Sequence, residues 1–208
     1  VEPFERVCRQ RLPEAGTAHR MLLEAPVQAP QFNLDGWVFQ GQAHALGVVD
    51  AIMYPGTQAF MRWEHPSQLA QGVQARALAV AQAFLSAIGF THGLFNMEFF
   101  FDAATDRLTV IEFNPRLASQ FSDLYCRVQG IDPHAITLAL ALGQDPRALP
   151  RATPTDGAAA SLVYRAFDAS RVPPMPSARQ KADFAQAFAD GLLMCMPKDG
   201  HGLAREHQ

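Results

Sequence analysis

Residues 93–114 constrain this chain more than any other stretch: GLFNMEFFFD, a polar turn (DAATD, 102–106), then RLTVIEFN. Both segments are rich in Phe, Val, Ile and Thr, and the turn is so short that the second strand must return antiparallel to the first. Each strand carries one glutamate, Glu98 or Glu112, amid apolar residues. A carboxylate buried unpaired in such a run costs several kcal/mol or is driven to its neutral form. Side chains alternate along a strand. Asn96, Glu98 and Phe100 therefore share one face of the first strand, and Val110, Glu112 and Asn114 one face of the second. The turn brings Glu98 opposite Glu112. Two facing carboxylates repel, and a shared divalent cation removes the repulsion.

Two carboxylates and an amide oxygen suit a hard cation. Magnesium takes a few protein oxygens and completes its octahedron with phosphate and water. Zinc would call for His or Cys, which the hairpin lacks. Glu98, Glu112 and Asn114 are thus the expected metal ligands. Arg116 follows Asn114 across Pro115, where its guanidinium fork can bind phosphate or carboxylate oxygens and steady charge during phosphoryl transfer. The bland reading sets two half-exposed glutamates on a solvent face, each paired with Lys or Arg.

The remaining pattern predicts a hairpin over 31–53, turning at Gln40-Gly41-Gln42, and a long helix over 66–88. In that helix Pro66 would sit in the first turn and Gly89 just past the end. Shorter helices are expected over 3–12, 121–128 and 133–142, and strands over 17–27 and 158–167. No strand–helix–strand alternation appears. The expected fold is therefore α+β, an antiparallel β-sheet with helices packed on one side. Residues 1–150 would form the main unit and 151–208 a partial C-terminal lobe.

Composition narrows the partners. The net charge is -3 and the pI about 6.2, so no basic field is present to hold a nucleic-acid backbone. No apolar run is long enough to span a bilayer, and residues 1–11 lack the apolar core of a signal peptide. Cys8, Cys126 and Cys195 form no CxxC pair, which fits a reducing cytoplasm. The chain begins at Val1 with no methionine before it and reads as a piece of a longer one.

MEFFFD, a short turn and VIEFNPR are similar to the metal-binding hairpin of the ATP-grasp superfamily. MLLEAPVQAPQFNLDGWVFQG resembles its adenine hinge and the strand after it, so that the resemblance covers residues 17–165. It implies the carboxyl-terminal subdomain of an ATP-grasp fold, with ATP and Mg2+ as cofactors and Mn2+ as an acceptable substitute. Glu98, Glu112 and Asn114 would be the ligands, with Glu112 bridging two ions and Arg116 beside the transferred phosphate. Glu24 would meet the nucleotide, and the backbone near Ala25 and Val27 would meet adenine. Gln31 stands where the family often has an acidic ribose-binding residue. The implied reaction phosphorylates a small-molecule carboxylate to an acyl phosphate, which an amine or similar nucleophile attacks. A carboxylate–amine ligase is the expected kind, with biotin-dependent carboxylases as the nearest relatives, and the resemblance allows a homodimer. The lysines that hold ATP phosphates in the family have no counterpart, since Lys181 and Lys198 are the only lysines and both lie far downstream. The isolated chain is therefore expected to be inactive. Two other readings stay open: a non-catalytic nucleotide-binding or regulatory module, and a structural α+β domain without a ligand.

Overall fold

Strand β1 (Gln31–Phe39) is buried along its whole length because both of its faces are covered. The computed structural model describes residues 24–165, 167 and 175–195. Around β1 the chain builds β2 (Gln42–Met53), β3 (Phe60–His65), β4 (Gly93–Asp102), β5 (Arg107–Asn114) and β6 (Ala159–Leu162). All strand pairs are antiparallel, and the sheet order is β5-β4-β1-β2-β3-β6. The fold class is α+β, as expected.

Successive residues of β1 feed two cores. Phe32, Leu34 and Val38 meet Ala77, Ala81 and Leu85 of helix α1 (Gln71–Ala87). The four-residue spacing of those three puts them on one helical stripe, and the two alanines let the helix lie close to the sheet. Trp37 and Phe39 face the other way. They pack with Leu46, Val49, Trp63 and Leu94, under Leu124 and Tyr125 of α2 (Ser122–Gln129) and Ile136 of α3 (Pro133–Ala141). Helices therefore cover both faces, α1 on one and α2 with α3 on the other, rather than the single side expected from the sequence.

The β1–β2 turn places Gln40 at φ 51° and Gly41 at φ 81°, the left-handed pair that a two-residue hairpin loop requires. Helix α1 starts later than its proline suggests. Asp50 accepts from the Ser67 hydroxyl and, at 2.9 Å, from the Gln68 N–H, which ties residues 66–70 to β2 as a loop. Gly89, at φ 70°, ends the helix as anticipated.

Strand β6 is shorter than the 158–167 expected, and its pairing with β3 adds the sixth strand to the sheet. Two elements went unread in the sequence: β3, and α4 (Ala178–Ala187), which opens on a Ser177/Gln180 capping box. The helix expected over 3–12 and the first part of the strand over 17–27 lie outside the described residues. Residues 24–27 form no strand. Among the described residues no helix is long and apolar enough to cross a membrane.

Candidate functional site

The β4–β5 hairpin is fixed at its tip by Asp102, whose carboxylate accepts from the Ala104 N–H at 2.9 Å and the Thr105 hydroxyl at 2.6 Å. From there the register runs to Glu98 opposite Glu112 and Asn96 opposite Asn114. A bulge interrupts it: Phe99 pairs with Val110, leaving Ile111 as the extra residue. The bulge corrects one expectation. Val110 does not share a face with Glu112 and Asn114. It turns to the α1 side and packs at the edge of the core that holds Phe99 and Met97. A one-residue insertion reverses the alternation, so the apolar side chain leaves the carboxylate face.

Strand β1 extends the pattern inward. Asn33 lies opposite Glu98, and Asp35 opposite Asn96. Two polar rows thus cross three strands, Asn33–Glu98–Glu112 and Asp35–Asn96–Asn114. Burial falls along each row. Asn33, Asp35 and Asn96 are buried, Glu98 and Asn114 are half-buried, and Glu112 and Arg116 are exposed. The site opens at the edge of the sheet.

Hydrogen bonds link the rows. Gln31 Nε2 donates to Glu98 Oε2 at 2.8 Å. Asn114 Nδ2 donates to Glu112 Oε1 at 2.7 Å and, more weakly, to Asn96 Oδ1 at 3.4 Å. Asn96 Nδ2 donates to Asp35 Oδ1 at 3.0 Å, and the Tyr125 hydroxyl to Asp35 Oδ2 at 2.6 Å. The Oδ1 of Asn33 is buried with no partner, an unused acceptor on the strand beside Glu98.

Electrostatics follow burial. Burial raises the Glu98 carboxyl above its usual range and the facing Glu112 raises it further, while Arg116 and the Gln31 amide pull it back. Burial pushes Asp35 up to about 7 against the opposing bonds from Tyr125 and Asn96. Burial, with Asp35 alongside, drives the Tyr125 phenol well upward.

The structure thus brings together Glu98, Glu112 and Asn114 on one face, with Arg116 close enough to act on the Glu98 charge. Gln31 joins them through Glu98. Glu24, Ala25 and Val27 are exposed in an irregular segment before β1. Among the described residues no group of three His, Cys, Asp or Glu converges on a metal position. Two carboxylates supplemented by amide oxygens make a sparse donor set, which fits magnesium better than a fully protein-made cage. A groove of about 550 Å³ between α1 and the β5 turn is lined by Arg76, Val80, Asp106, Leu108 and Val110. It belongs to the α1 face, opposite the carboxylates, and carries none of this chemistry.

Asn33, Asp35 and Tyr125 were missed from the sequence. The signal for the first two was present as polar residues at every second position of β1, 31, 33 and 35.

The chain is similar in structure to biotin carboxylase from Campylobacter jejuni, solved as its β-γ-ATP complex, with TM-score 0.58 and 22% identity over 77% of this chain and 34% of that one. It is similar to the biotin carboxylase domain of 2-oxoglutarate carboxylase from Hydrogenobacter thermophilus, solved as a dimer with MgADP, ADP and bicarbonate, with TM-score 0.57 and 18% identity over 69% and 31%. It is also similar to an L-amino acid ligase from Bacillus licheniformis, with TM-score 0.50 and 21% identity over 56% and 30%. The chain spans about a third of the length of these proteins, 30–34%. No family model matches the sequence, and no curated protein matches it either. At these identities the likeness shows the fold alone, an architecture shared with these biotin carboxylases and this ligase.

Proposed function

We propose that this chain is the metal-binding part of an ATP- and magnesium-dependent ligase. The whole enzyme activates a small-molecule carboxylate as an acyl phosphate, and an amine or similar nucleophile then displaces the phosphate with release of ADP. The observation that carries this reading is the cross-strand pair Glu98 and Glu112, with Asn114 on the same face. Like charges set directly opposite destabilise a strand pair, and a shared cation removes that cost. Solved relatives bound to MgADP and to β-γ-ATP support the choice of ligand.

In this reading Glu98, Glu112 and Asn114 hold magnesium, and Mn2+ substitutes for it. Magnesium, when bound, neutralises phosphate charge and aligns the transferred group. The chain's own residues do the rest. Gln31 holds Glu98 through one amide hydrogen, which keeps the carboxylate in place and leaves the Gln31 oxygen for a ribose hydroxyl. Arg116, exposed beside the open edge, binds oxygens of the transferred phosphate. Glu24, with the backbone near Ala25 and Val27, forms the adenine edge. The chain belongs to the cytoplasm and works as a homodimer.

With Lys181 and Lys198 as its only lysines, the 208-residue chain binds MgADP but does not form it from MgATP. The test is thermal unfolding with and without MgADP. A ligand at about 100 times its Kd stabilises by about 2.7 kcal/mol, or roughly 5–10 °C for a chain of this size. The shift is expected for the native chain and absent from Glu98→Gln/Glu112→Gln. An equal shift in that variant overturns the site, and ADP formation by the chain alone overturns its inactivity.

A further inference from the structure

We propose that Asn96, held by the buried Asp35–Tyr125 pair, is a positioning residue that turns the Asn114 amide so that its oxygen faces the cation. The inference rests on the metal-site reading above and concerns how one ligand is aimed.

An asparagine amide has two ends of nearly equal size and opposite polarity. Only the oxygen can hold a cation. The shape of Asn114 does not decide which end faces the site, so the decision must come from its neighbours. Glu112 is one, since its Oε1 accepts from Asn114 Nδ2 at 2.7 Å. But Glu112 is exposed, and its oxygens are the ones the cation takes. The neighbour that cannot turn is Asn96, at 2% exposure.

Asn96 gets its own direction from below. Asp35 Oδ1 accepts from Asn96 Nδ2 at 3.0 Å, and Asp35 Oδ2 meets the Tyr125 hydroxyl at 2.6 Å. When Asp35 is ionised, both of its oxygens accept. In this arrangement Oδ1 takes the Asn96 amide hydrogen, so Asn96 sends its Nδ2 towards β1 and its Oδ1 towards β5. That oxygen lies 3.4 Å from Asn114 Nδ2. The bond is long, and its importance is its sign rather than its strength. A reversed Asn114 would set oxygen against oxygen on the Asn96 side. With its N–H groups directed at Asn96 and Glu112, Asn114 keeps its Oδ1 for the cation. Among the described residues that oxygen makes no hydrogen bond.

The network is costly in place. Burial carries the Asp35 carboxyl far from its ordinary range, and an apolar trio could fill the same space without desolvating a charge. A purely structural role, tying α2 to the sheet, would need Tyr125 and Asp35 but not the alignment of Asn96 with Asn114.

The test is a double-mutant cycle in Mn2+ affinity, read by electron paramagnetic resonance on the folded 208-residue chain. Removing a residue that orients a metal ligand weakens binding by about 10-fold or more. Asn96→Ala is expected to weaken Mn2+ by about that factor when Asn114 is present, and to add nothing in the Asn114→Ala background. Should Asn96→Ala fold poorly, the triple variant Asp35→Leu, Asn96→Ala, Tyr125→Phe strands no polar group and carries the same comparison. Equal weakening in both Asn114 backgrounds, or none in either, overturns the positioning role. Mn2+ binding that ignores Glu98→Gln and Glu112→Gln overturns the metal site itself, a failure distinct from the first.

Discussion

Replacing Tyr125 by Phe removes one hydroxyl from beneath the sheet, and the structure makes its cost depend on pH. The phenol donates at 2.6 Å to Asp35, which is 3% exposed and carried from 3.8 to about 7 by burial. The folded chain therefore holds a proton on Asp35 between about pH 4 and pH 7 that the unfolded chain has released. Stability from this group is highest below that window and falls as pH rises through it, by at most about 4 kcal/mol. Tyr125 opposes the upward shift. Without it the carboxyl titrates higher still, and the fall continues beyond the native window. At about pH 5 the variant loses a bond to a neutral acid, roughly 1 kcal/mol, whereas at about pH 8.5 it loses a bond to a carboxylate, roughly 2–3 kcal/mol. Urea unfolding followed by circular dichroism at the two pH values measures the difference. An equal loss at both would refute the claim that Asp35 is a buried acid titrating near neutrality.

Other consequences are simpler to check. A Cβ at Gly36 would lie 2.4 Å from the His44 carbonyl and 2.6 Å from the Phe95 ring. Both are fixed in the sheet, so Gly36→Ala should cost about 3 kcal/mol by urea unfolding, and a cost under about 1 kcal/mol would refute the close approach. Arg116 is exposed, and among the described residues its guanidinium makes one hydrogen bond, a 3.4 Å contact to the Leu117 carbonyl. Arg116→Ala should therefore leave stability within about 0.5 kcal/mol. The same variant should bind a magnesium-bound, non-hydrolysable ATP analogue at least about 10-fold more weakly by calorimetry, as fits loss of a charge-assisted bond, and unchanged affinity would remove Arg116 from the phosphate site.

The hairpin that carries the site was legible because its signals are local. A short turn fixes the register, alternation fixes the face, and Glu98 meets Glu112 as those rules require. What failed was what depends on distant parts of the chain. The bulge at Ile111 moves Val110 to the other face, and an inserted residue leaves no mark in an apolar run. Pro66 looks like the first residue of a helix until Asp50 captures the loop after it. Asn33 and Asp35 read as the wet side of a strand. Only helix α2, 90 residues further on at Tyr125, turns that side into a buried one. The same distance hides the second helical layer, since nothing in 121–142 states which face of the sheet it will cover. Strand β6 is a short edge element that pairs with β3, and β3 is a short strand held between β2 and β6.

The most direct test is crystallographic. Crystals of the native chain soaked in MnCl2 with ADP, measured for anomalous scattering, should show a manganese peak within about 2.0–2.2 Å of oxygens from Glu98, Glu112 and Asn114. Manganese bound elsewhere, with the two carboxylates left to solvent, would contradict the account.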